Sequence, residues 1–280
     1  MTGFRNALRP TAPLDRLWRK FGTAIAFSVF GLACVLFGFT LFPLAGLTTR
    51  DPAVARRRAQ AIVHRWFGIF AGLMKVLGLI RVEFHNAAAL RAPGRLIVAN
   101  HPSLIDVVLL IAEIPEVDCI VKQAVLRNPF MRWPARWAGY IAHATPEQLI
   151  ADCVASLRAG HSLLVFPEGT RSVPGQPLRM THGAARIALE AGATILPVTI
   201  RCEPALLHKG VPWHYAPRPG QFELRVGEPY AAADFLQGAA NTAIATRHLT
   251  HYWEQQFATG IGATAAHPLA PPMPQPQYSS

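Results

Sequence analysis

The chain has 280 residues, enough for one catalytic domain with appendages, and its 27 lysines and arginines against 16 aspartates and glutamates give a formal net charge of +11. This charge suits anionic partners. Since no stretch resembles a nucleic-acid-binding module, it favours a bilayer surface over nucleic acid. The four cysteines (Cys34, Cys119, Cys153, Cys202) lack disulfide or metal-ligand spacing, which is typical of reduced packing residues in a protein that faces the cytosol.

The first 79 residues contain two candidate membrane helices. Phe21 to Leu47 is nearly uncharged and long enough to span a bilayer, with basic residues on both flanks. From Ala53 to Leu79 apolar residues recur at helical spacing, which predicts an interfacial amphipathic helix, with a core-packing helix as the alternative. We expect residues 1–79 to hold the protein on the anionic leaflet of the inner (cytoplasmic) membrane, with the catalytic domain facing the cytoplasm. A hairpin that inserts without crossing and a single true span both remain open.

Residues 80–257 alternate between strand and helix patterns, which predicts an α/β domain with a mostly parallel sheet flanked by helices. The predicted strands are Ile80–His85, Arg95–Asn100, Val117–Lys122, Leu163–Phe166, Thr194–Ile200 and Phe222–Val226. The predicted helices are Ser103–Glu113, Thr145–Gly160, His182–Glu190 and Asn241–Phe257. Residues 258–280 are rich in Pro and Ala, and we expect a disordered tail.

The clearest chemical signal is the stretch from Asn100 to Asp106, Asn-His-Pro-Ser-Leu-Ile-Asp, at the end of a predicted strand. His101 can accept a proton from an alcohol and return it to a leaving group, and a carboxylate such as Asp106 can fix its tautomer. No serine, cysteine or lysine partner is specified nearby, so we expect direct acyl transfer without a covalent acyl-enzyme. Alternatively, Ser103-x-x-Asp106 is a capping-box-like pattern with a purely local role at a helix start.

A second polar cluster, Phe-Pro-Glu-Gly-Thr-Arg-Ser at residues 166–172, follows another predicted strand. The two clusters together resemble those of the glycerolipid acyltransferase family, typified by lysophosphatidic acid acyltransferases. That family carries an N-H-x4-D motif, a K…P…G block, F-P-E-G-T-R-S and a hydrophobic-Pro-hydrophobic motif. The chain has all four in the family's order, over about residues 80 to 230. The second motif consists of Lys122, Pro129 and Gly139, and the last is Ile195-Leu196-Pro197-Val198.

The resemblance implies roles for individual residues. His101 would be the general base of a membrane-bound O-acyltransferase, and Asp106 would orient it. Arg171 would bind an anionic acceptor through bidentate hydrogen bonds from its guanidinium, and Lys122 is the second candidate for that role. We also assign Glu168, Gly169 and Thr170 to substrate binding, although a turn-stabilising role for Glu168 stays open. No metal or redox cofactor is implied; the co-substrate would be an acyl-CoA or acyl-carrier-protein thioester, which makes an acyl carrier protein a possible partner.

The chain departs from the family pattern near the expected phosphate site. Gln123-Ala124 replace a Glu-Leu pair, Thr145 stands about where the family has an arginine, and Thr181-His182 replace a basic pair. Fewer cations weaken the case for a glycerol phosphate headgroup. The acceptor therefore stays open between lysophosphatidic acid, another lysophospholipid, an amino-acid-derived lipid and another hydroxylated lipid. A non-enzymatic lipid-binding protein of the same fold is the alternative from a different class.

Overall fold

The computed structural model describes residues 13–142, 145–208 and 218–262. Nine α-helices and seven strands occur in these ranges. The helices are α1 (Pro13–Phe39), α2 (Leu41–Leu47), α3 (Pro52–Val76), α4 (Asp106–Ile111), α5 (Gln123–Arg127), α6 (Arg132–Trp137), α7 (Pro146–Arg158), α8 (His182–Ala191) and α9 (Thr242–Gly262). The strands are β1 (Ile80–His85), β2 (Arg95–Ala99), β3 (Asp118–Cys119), β4 (Leu163–Val165), β5 (Thr194–Glu203), β6 (Gly220–Val226) and β7 (Tyr230–Ala231).

The strands form one sheet in the order β1-β6-β5-β2-β4-β3, with β7 paired to β5 beside the main path. Strands β5, β2, β4 and β3 run parallel to one another. Strand β6 runs antiparallel to β5, and β1 is parallel to β6, so these two strands run in the direction opposite to the other four of the main path. The expected α/β fold with a mostly parallel sheet is confirmed.

Each face of the sheet carries its own apolar core. One core joins the sheet to α1, α3 and α4, and the other joins it to α7, α8 and α9. The second core is centred on Trp253, which is fully buried and donates a 2.7 Å hydrogen bond to the Tyr230 hydroxyl. The two cores hold the central strands rigidly, and functional side chains follow the ends of those strands.

The N-terminal helices form a hairpin that lies alongside the sheet. Helix α1 ends at Phe39 rather than at Leu47, because the ring of Pro43 is incompatible with the carbonyl of residue 39 in a continuous helix. Helix α3 then begins at an Asp51 cap, whose carboxylate accepts the Ala53 amide, with Pro52 at the first position. The chain therefore reverses direction, and α3 runs back along α1.

Helix α3 packs against the core on part of its surface, as the alternative of a core-packing helix predicts. Phe67 and Phe70 are buried and contact Phe30 of α1, with ring centroids 5.7 and 4.6 Å apart. On its other side, α3 packs against α4, where His64 Nδ1 lies 2.9 Å from the Ile111 carbonyl oxygen. Two sides of α3 are therefore packed against other helices, while Arg65, Ile69 and Val76 remain exposed.

Several boundaries differ from the prediction. Helix α4 starts at Asp106 rather than Ser103, because residues 101–105 form the turn that shapes the site. Strand β3 covers Asp118–Cys119 only, although Ile120 continues as an isolated bridge to Ile141. Helix α9 extends to Gly262, so the segment after residue 257 begins as helix; the rest of the expected tail lies outside the described residues.

Candidate active site

The site lies at the carboxyl edge of the three central strands. Strands β5, β2 and β4 are parallel neighbours, so the segments that follow them leave the sheet at the same edge. His101 follows β2, the turn from Phe166 to Ser172 follows β4, and Leu207 lies beyond β5. In open α/β sheets this edge is the usual position of a ligand site.

His101 and Asp106 form the central pair. The Nδ1 atom of His101 lies 2.9 Å from Oδ2 of Asp106, and the carboxylate is fully buried. The same Oδ2 accepts the Ser103 amide at 2.6 Å. One carboxylate oxygen therefore contacts both the histidine and the turn before α4, so the geometry is compatible with the catalytic and the helix-capping interpretations of this motif.

Burial raises the pKa of Asp106 to about 6, although hydrogen bonds from His101 and the Ser103 amide act in the opposite direction. Its second oxygen, Oδ1, is buried and has no hydrogen-bond partner among the residues that the structure describes. An ionised Asp106 requires an Nδ1–H on His101, which leaves the Nε2 lone pair to accept a proton.

The ring of His101 is held from below by Phe166. The two rings stack with centroids 4.3 Å apart and an interplanar angle of 26°. Phe166 is the first residue after β4, and its position is set by the pairing of β4 with β2. The stack fixes the plane of the imidazole, and Asp106 fixes its rotation within that plane.

Glu168 connects the two motifs. Its Oε1 atom accepts the His101 backbone amide at 2.8 Å and the Ser172 hydroxyl at 2.9 Å. The Ser172 amide in turn donates to the His101 carbonyl at 2.7 Å. Burial raises the pKa of Glu168, while the His101 amide and the Ser172 hydroxyl lower it. These bonds give Glu168 the turn-stabilising role that the sequence left open.

The Arg171 side chain is also held in place by a hydrogen bond. Its Nη1 donates to the Leu207 carbonyl at 2.6 Å, and the same carbonyl accepts the Leu104 amide at 3.3 Å. Leu207 is buried and has a positive φ of 55°, an uncommon conformation for leucine. One backbone carbonyl thus fixes the guanidinium relative to the turn that carries His101.

The other predicted substrate residues are less constrained. Gly169 and Thr170 are exposed, and Gly169 has a φ of 63°, which suits the turn and which a side chain rarely adopts. Lys122 is exposed at the start of α5, at the same edge of the sheet. It follows β3, which is separated from β2 by β4, so about 10 Å of sheet lies between Lys122 and His101.

Asn100 is a site residue whose role the sequence did not indicate. Its side-chain amide donates to the Ile200 carbonyl at 2.8 Å and its oxygen accepts the Ile200 amide at 2.7 Å. The side chain therefore continues the β2–β5 ladder for one more residue after the backbone of β2 has turned away toward His101. The only signal in the sequence is its place before the histidine.

No group of three or more His, Cys, Asp or Glu residues in the described parts of the chain could hold a metal ion. The four cysteines are free; three are buried, and Cys202 is half-buried. Three side chains define the site, those of His101, Asp106 and Arg171, and each is held by hydrogen bonds within the protein. Glu168 joins the two turns that carry His101 and Arg171.

Comparisons with known proteins agree with this arrangement. Residues 81–201 match the family model described as Acyltransferase. The 1-acyl-sn-glycerol-3-phosphate acyltransferase of Pseudomonas aeruginosa is 27% identical over 149 residues, which are 51% of this chain and 58% of that protein. The lyso-ornithine lipid O-acyltransferase of the same organism is 31% identical over 198 residues, which are 69% of this chain and 72% of that protein.

The fold has a counterpart among solved structures. The crystal structure of the 1-acyl-sn-glycerophosphate acyltransferase PlsC from Thermotoga maritima superposes with a TM-score of 0.68 at 21% sequence identity. The superposition covers 90% of this chain and 98% of that one, so the similarity includes the N-terminal helices as well as the sheet.

Proposed function

The chain belongs to the glycerolipid acyltransferase family, and from that premise we propose that it transfers a fatty acyl group from a thioester donor to a hydroxyl of a lysolipid at a membrane, with His101 as the general base. The observation that carries the proposal is the 2.9 Å contact between His101 Nδ1 and a fully buried Asp106. A histidine fixed in this way is equipped to accept a proton at Nε2.

The mechanism follows from the tautomer. Nε2 of His101 removes the proton of the acceptor hydroxyl while its oxygen attacks the thioester carbonyl. The tetrahedral intermediate then collapses, the carbon–sulfur bond breaks, and the imidazolium returns its proton to the departing thiolate. Asp106 stabilises the imidazolium between these two steps. The products are an ester and a free thiol, so neither an oxidant nor a cofactor is consumed.

The donor is a thioester of coenzyme A or of an acyl carrier protein. Both carriers are anionic, and a chain with a formal net charge of +11 favours their approach. Near the site the exposed cations include Lys122 and Arg127. Neither residue distinguishes the two carriers, so the donor is proposed as a chemical class.

For the acceptor, a lysophospholipid such as lysophosphatidic acid is the first candidate. Several relatives carry the name 1-acyl-sn-glycerol-3-phosphate acyltransferase. Arg171 supports this acceptor because a guanidinium held by one donor still offers others to a phosphate. Lys122 would contribute only if the bound headgroup spans the width of β4.

A lyso-ornithine lipid is the second candidate. The relative with that name matches more of this chain than the first one, with 69% covered against 51%. An acceptor with an amino-acid headgroup carries an amine in place of a phosphate dianion and needs fewer cations around it. Two places where this sequence lacks the family's basic residues (Thr145 and Thr181-His182) agree with such a headgroup.

The membrane part of the proposal rests on α1. By length and composition, Pro13–Leu47 is the one described helical stretch that could cross a membrane. Its inner side packs on α3, and its outer side carries a stripe of exposed apolar residues: Leu14, Trp18, Phe21, Ile25, Val29, Leu32, Leu36 and Phe39. We propose that this stripe lies in one leaflet of the cytoplasmic membrane, with the helix parallel to the surface.

The test is an acyl-transfer assay with purified protein in mixed micelles, with acyl-CoA or acyl carrier protein as donor and a panel of lysolipid acceptors. We expect the wild type to acylate one acceptor class, and His101→Ala to lose transfer by about a hundred- to ten-thousand-fold. His251→Ala is the matched control, since His251 is exposed on α9. Near-native transfer by His101→Ala would exclude the proposed base.

A lipid profile of cells lacking the protein separates the two acceptors. Loss of a diacylated phospholipid, restored by the wild type but not by His101→Ala, would assign lysophosphatidic acid or a similar acceptor. Loss of an acylated amino-acid lipid under the same conditions would assign the second candidate.

A further inference from the structure

The segment from Lys122 to Trp137, which includes α5 and α6, leaves the sheet after β3, and the chain that follows it returns beside β3, where Ile141 pairs with Ile120. Helix α5 starts directly after Lys122 and buries none of its five residues. On either side of Lys122, the Val121 amide donates to the Ile141 carbonyl at 2.9 Å and Gln123 Nε2 to the Ala142 carbonyl at 3.3 Å, so Lys122 is held by residues that follow α6. The position of Lys122 therefore depends on β3 before it and on the contacts that hold α6 after it.

Three aromatic side chains attach this segment to the N-terminal hairpin, each at a glycine. Phe130 lies against Gly31, Trp133 against Gly38 and Trp137 against Gly46. A methyl group added at Gly38 would lie 2.5 Å from Cγ of Trp133, and one at Gly46 would lie 2.7 Å from Cζ3 of Trp137. The corresponding distance at Gly31 is 3.2 Å, to Cδ1 of Phe130.

The contacts are specific to these glycines. Gly68 and Gly72 are also helical, on α3, yet an added methyl group there would meet no atom within 4 Å. Trp133 is further fixed by Phe39, with ring centroids 5.2 Å apart, and by the guanidinium of Arg132, 4.7 Å above its ring. The glycines on α1 and α2 therefore leave the space that the three aromatic side chains of the segment occupy.

We propose that Gly31, Gly38 and Gly46 are positioning residues for substrate binding: by seating Phe130, Trp133 and Trp137, they place the α5–α6 segment and hence Lys122. This inference rests on the proposed function, because it assumes that Lys122 contacts a substrate. It makes the hairpin a part of the substrate site, in addition to any role in membrane attachment.

The experiment measures kcat and KM for donor and acceptor in detergent micelles, where membrane attachment no longer limits access to substrate. Gly38→Ala forces Trp133 to move, and we expect kcat/KM to fall by about tenfold or more, mainly through a higher KM. The effect should decrease in the order Gly38→Ala, Gly46→Ala, Gly31→Ala, which follows the three distances. Gly72→Ala is the matched control and should leave kcat/KM unchanged.

Two further measurements separate positioning from unfolding. Trp133→Ala removes the seated side chain without a clash, and it should raise the same KM while the urea midpoint shows a folded protein. In Gly38→Ala/Trp133→Ala the two effects should not add, because both act through one contact. Additive effects, or a loss of kcat with KM unchanged, would contradict the inference.

The outcomes also separate this inference from the proposed function. A wild type without acyl transfer would overturn the proposed function. An active wild type whose Gly38→Ala and Trp133→Ala variants both keep kcat/KM within about twofold would overturn the positioning role alone.

Discussion

At the scale of single residues, the Asp106 carboxylate has to satisfy two groups at once. It accepts a hydrogen bond from the His101 ring and another from the Ser103 amide, and it does so in a fully buried place. The charge is costly there, which is why the pKa of Asp106 rises from 3.8 to about 6. Function and stability therefore make opposite demands on this side chain.

This conflict predicts the behaviour of Asp106→Asn. We expect transfer to fall by about a thousandfold or more, because an amide no longer enforces the Nδ1–H tautomer. In the wild type, transfer should also fall as the pH drops through about 6 and Asp106 becomes protonated. A rate that stays constant between pH 8 and pH 5 would remove Asp106 from its role.

The effect of Asp106→Asn on stability should be opposite to its effect on transfer. A carboxyl whose pKa is raised in the folded state contributes stability at low pH, and that contribution is lost as the pH rises through about 6. Asp106→Asn should therefore be at least as stable as the wild type in urea at pH 7.5, with a smaller loss between pH 4 and pH 7. A clear destabilisation at pH 7.5 would contradict this assignment.

Sequence reasoning found the pair but not its setting. The spacing of His101 and Asp106 and their place after an apolar strand were enough to predict the contact. The bonds from Asn100 to Ile200 and from Arg171 to Leu207 were not predictable, because each joins residues distant in sequence and both end on a backbone carbonyl. Such partners carry no residue-type signal.

At the scale of elements, the sequence predicted the alternation of strands and helices well and left α3 open between a membrane surface and the protein core. Its apolar face fits a membrane surface as well as a protein core, since both environments reward the same periodicity. In the structure, a buried carboxylate holds α3 against the sheet. Asp118 of β3 accepts Gln60 Nε2 of α3 at 2.9 Å and Ser156 Oγ of α7 at 2.5 Å, and it forms an ion pair with Arg56 of α3.

The Asp118 contacts predict that α3 is fixed to the edge of the sheet by charge. Asp118→Ala would leave Arg56 without its carboxylate partner and Ser156 without this acceptor, whereas Gln60 keeps its bond to the Ala138 carbonyl. We expect a loss of about 3–5 kcal/mol in the free energy of unfolding. Urea denaturation at pH 7.5 measures it. Asp234→Ala, at an exposed position, is the control and should change stability by less than about 0.5 kcal/mol.

A midpoint for Asp118→Ala equal to that of Asp234→Ala would show that Arg56 finds another acceptor. The Ala138 carbonyl, which Arg56 Nε already approaches at 3.4 Å, is the nearest one in the structure.

At the scale of the whole molecule, the hairpin, the sheet and the outer helices form successive layers. The outermost layer presents Leu32 and Leu36 of α1 to the surroundings with 70% and 55% of their area exposed. Deletion of residues 1–50 would not test attachment cleanly, because it would also uncover Phe67 and Phe70 on α3. Substitutions on the exposed stripe avoid this problem.

Leu32→Asn/Leu36→Asn should weaken attachment without disturbing the core. Each leucine contributes about 1.5–3 kcal/mol when buried in an apolar phase, so sedimentation with anionic vesicles should fall by about tenfold or more. Leu236→Asn is the control, since Leu236 is 41% exposed and lies far from α1 in the chain. Unchanged sedimentation of the double variant would place the membrane contact elsewhere.

The Asn100–Ile200 bonds also have a consequence for synthesis of the chain. These residues are 100 positions apart, whereas the hairpin is complete once residue 76 has left the ribosome. A nascent chain therefore has its apolar helices paired long before β5 exists to flank β2. Until Leu207 has emerged, Arg171 lacks its carbonyl and His101 follows a strand without its β5 neighbour, so the hairpin can form before the site is complete.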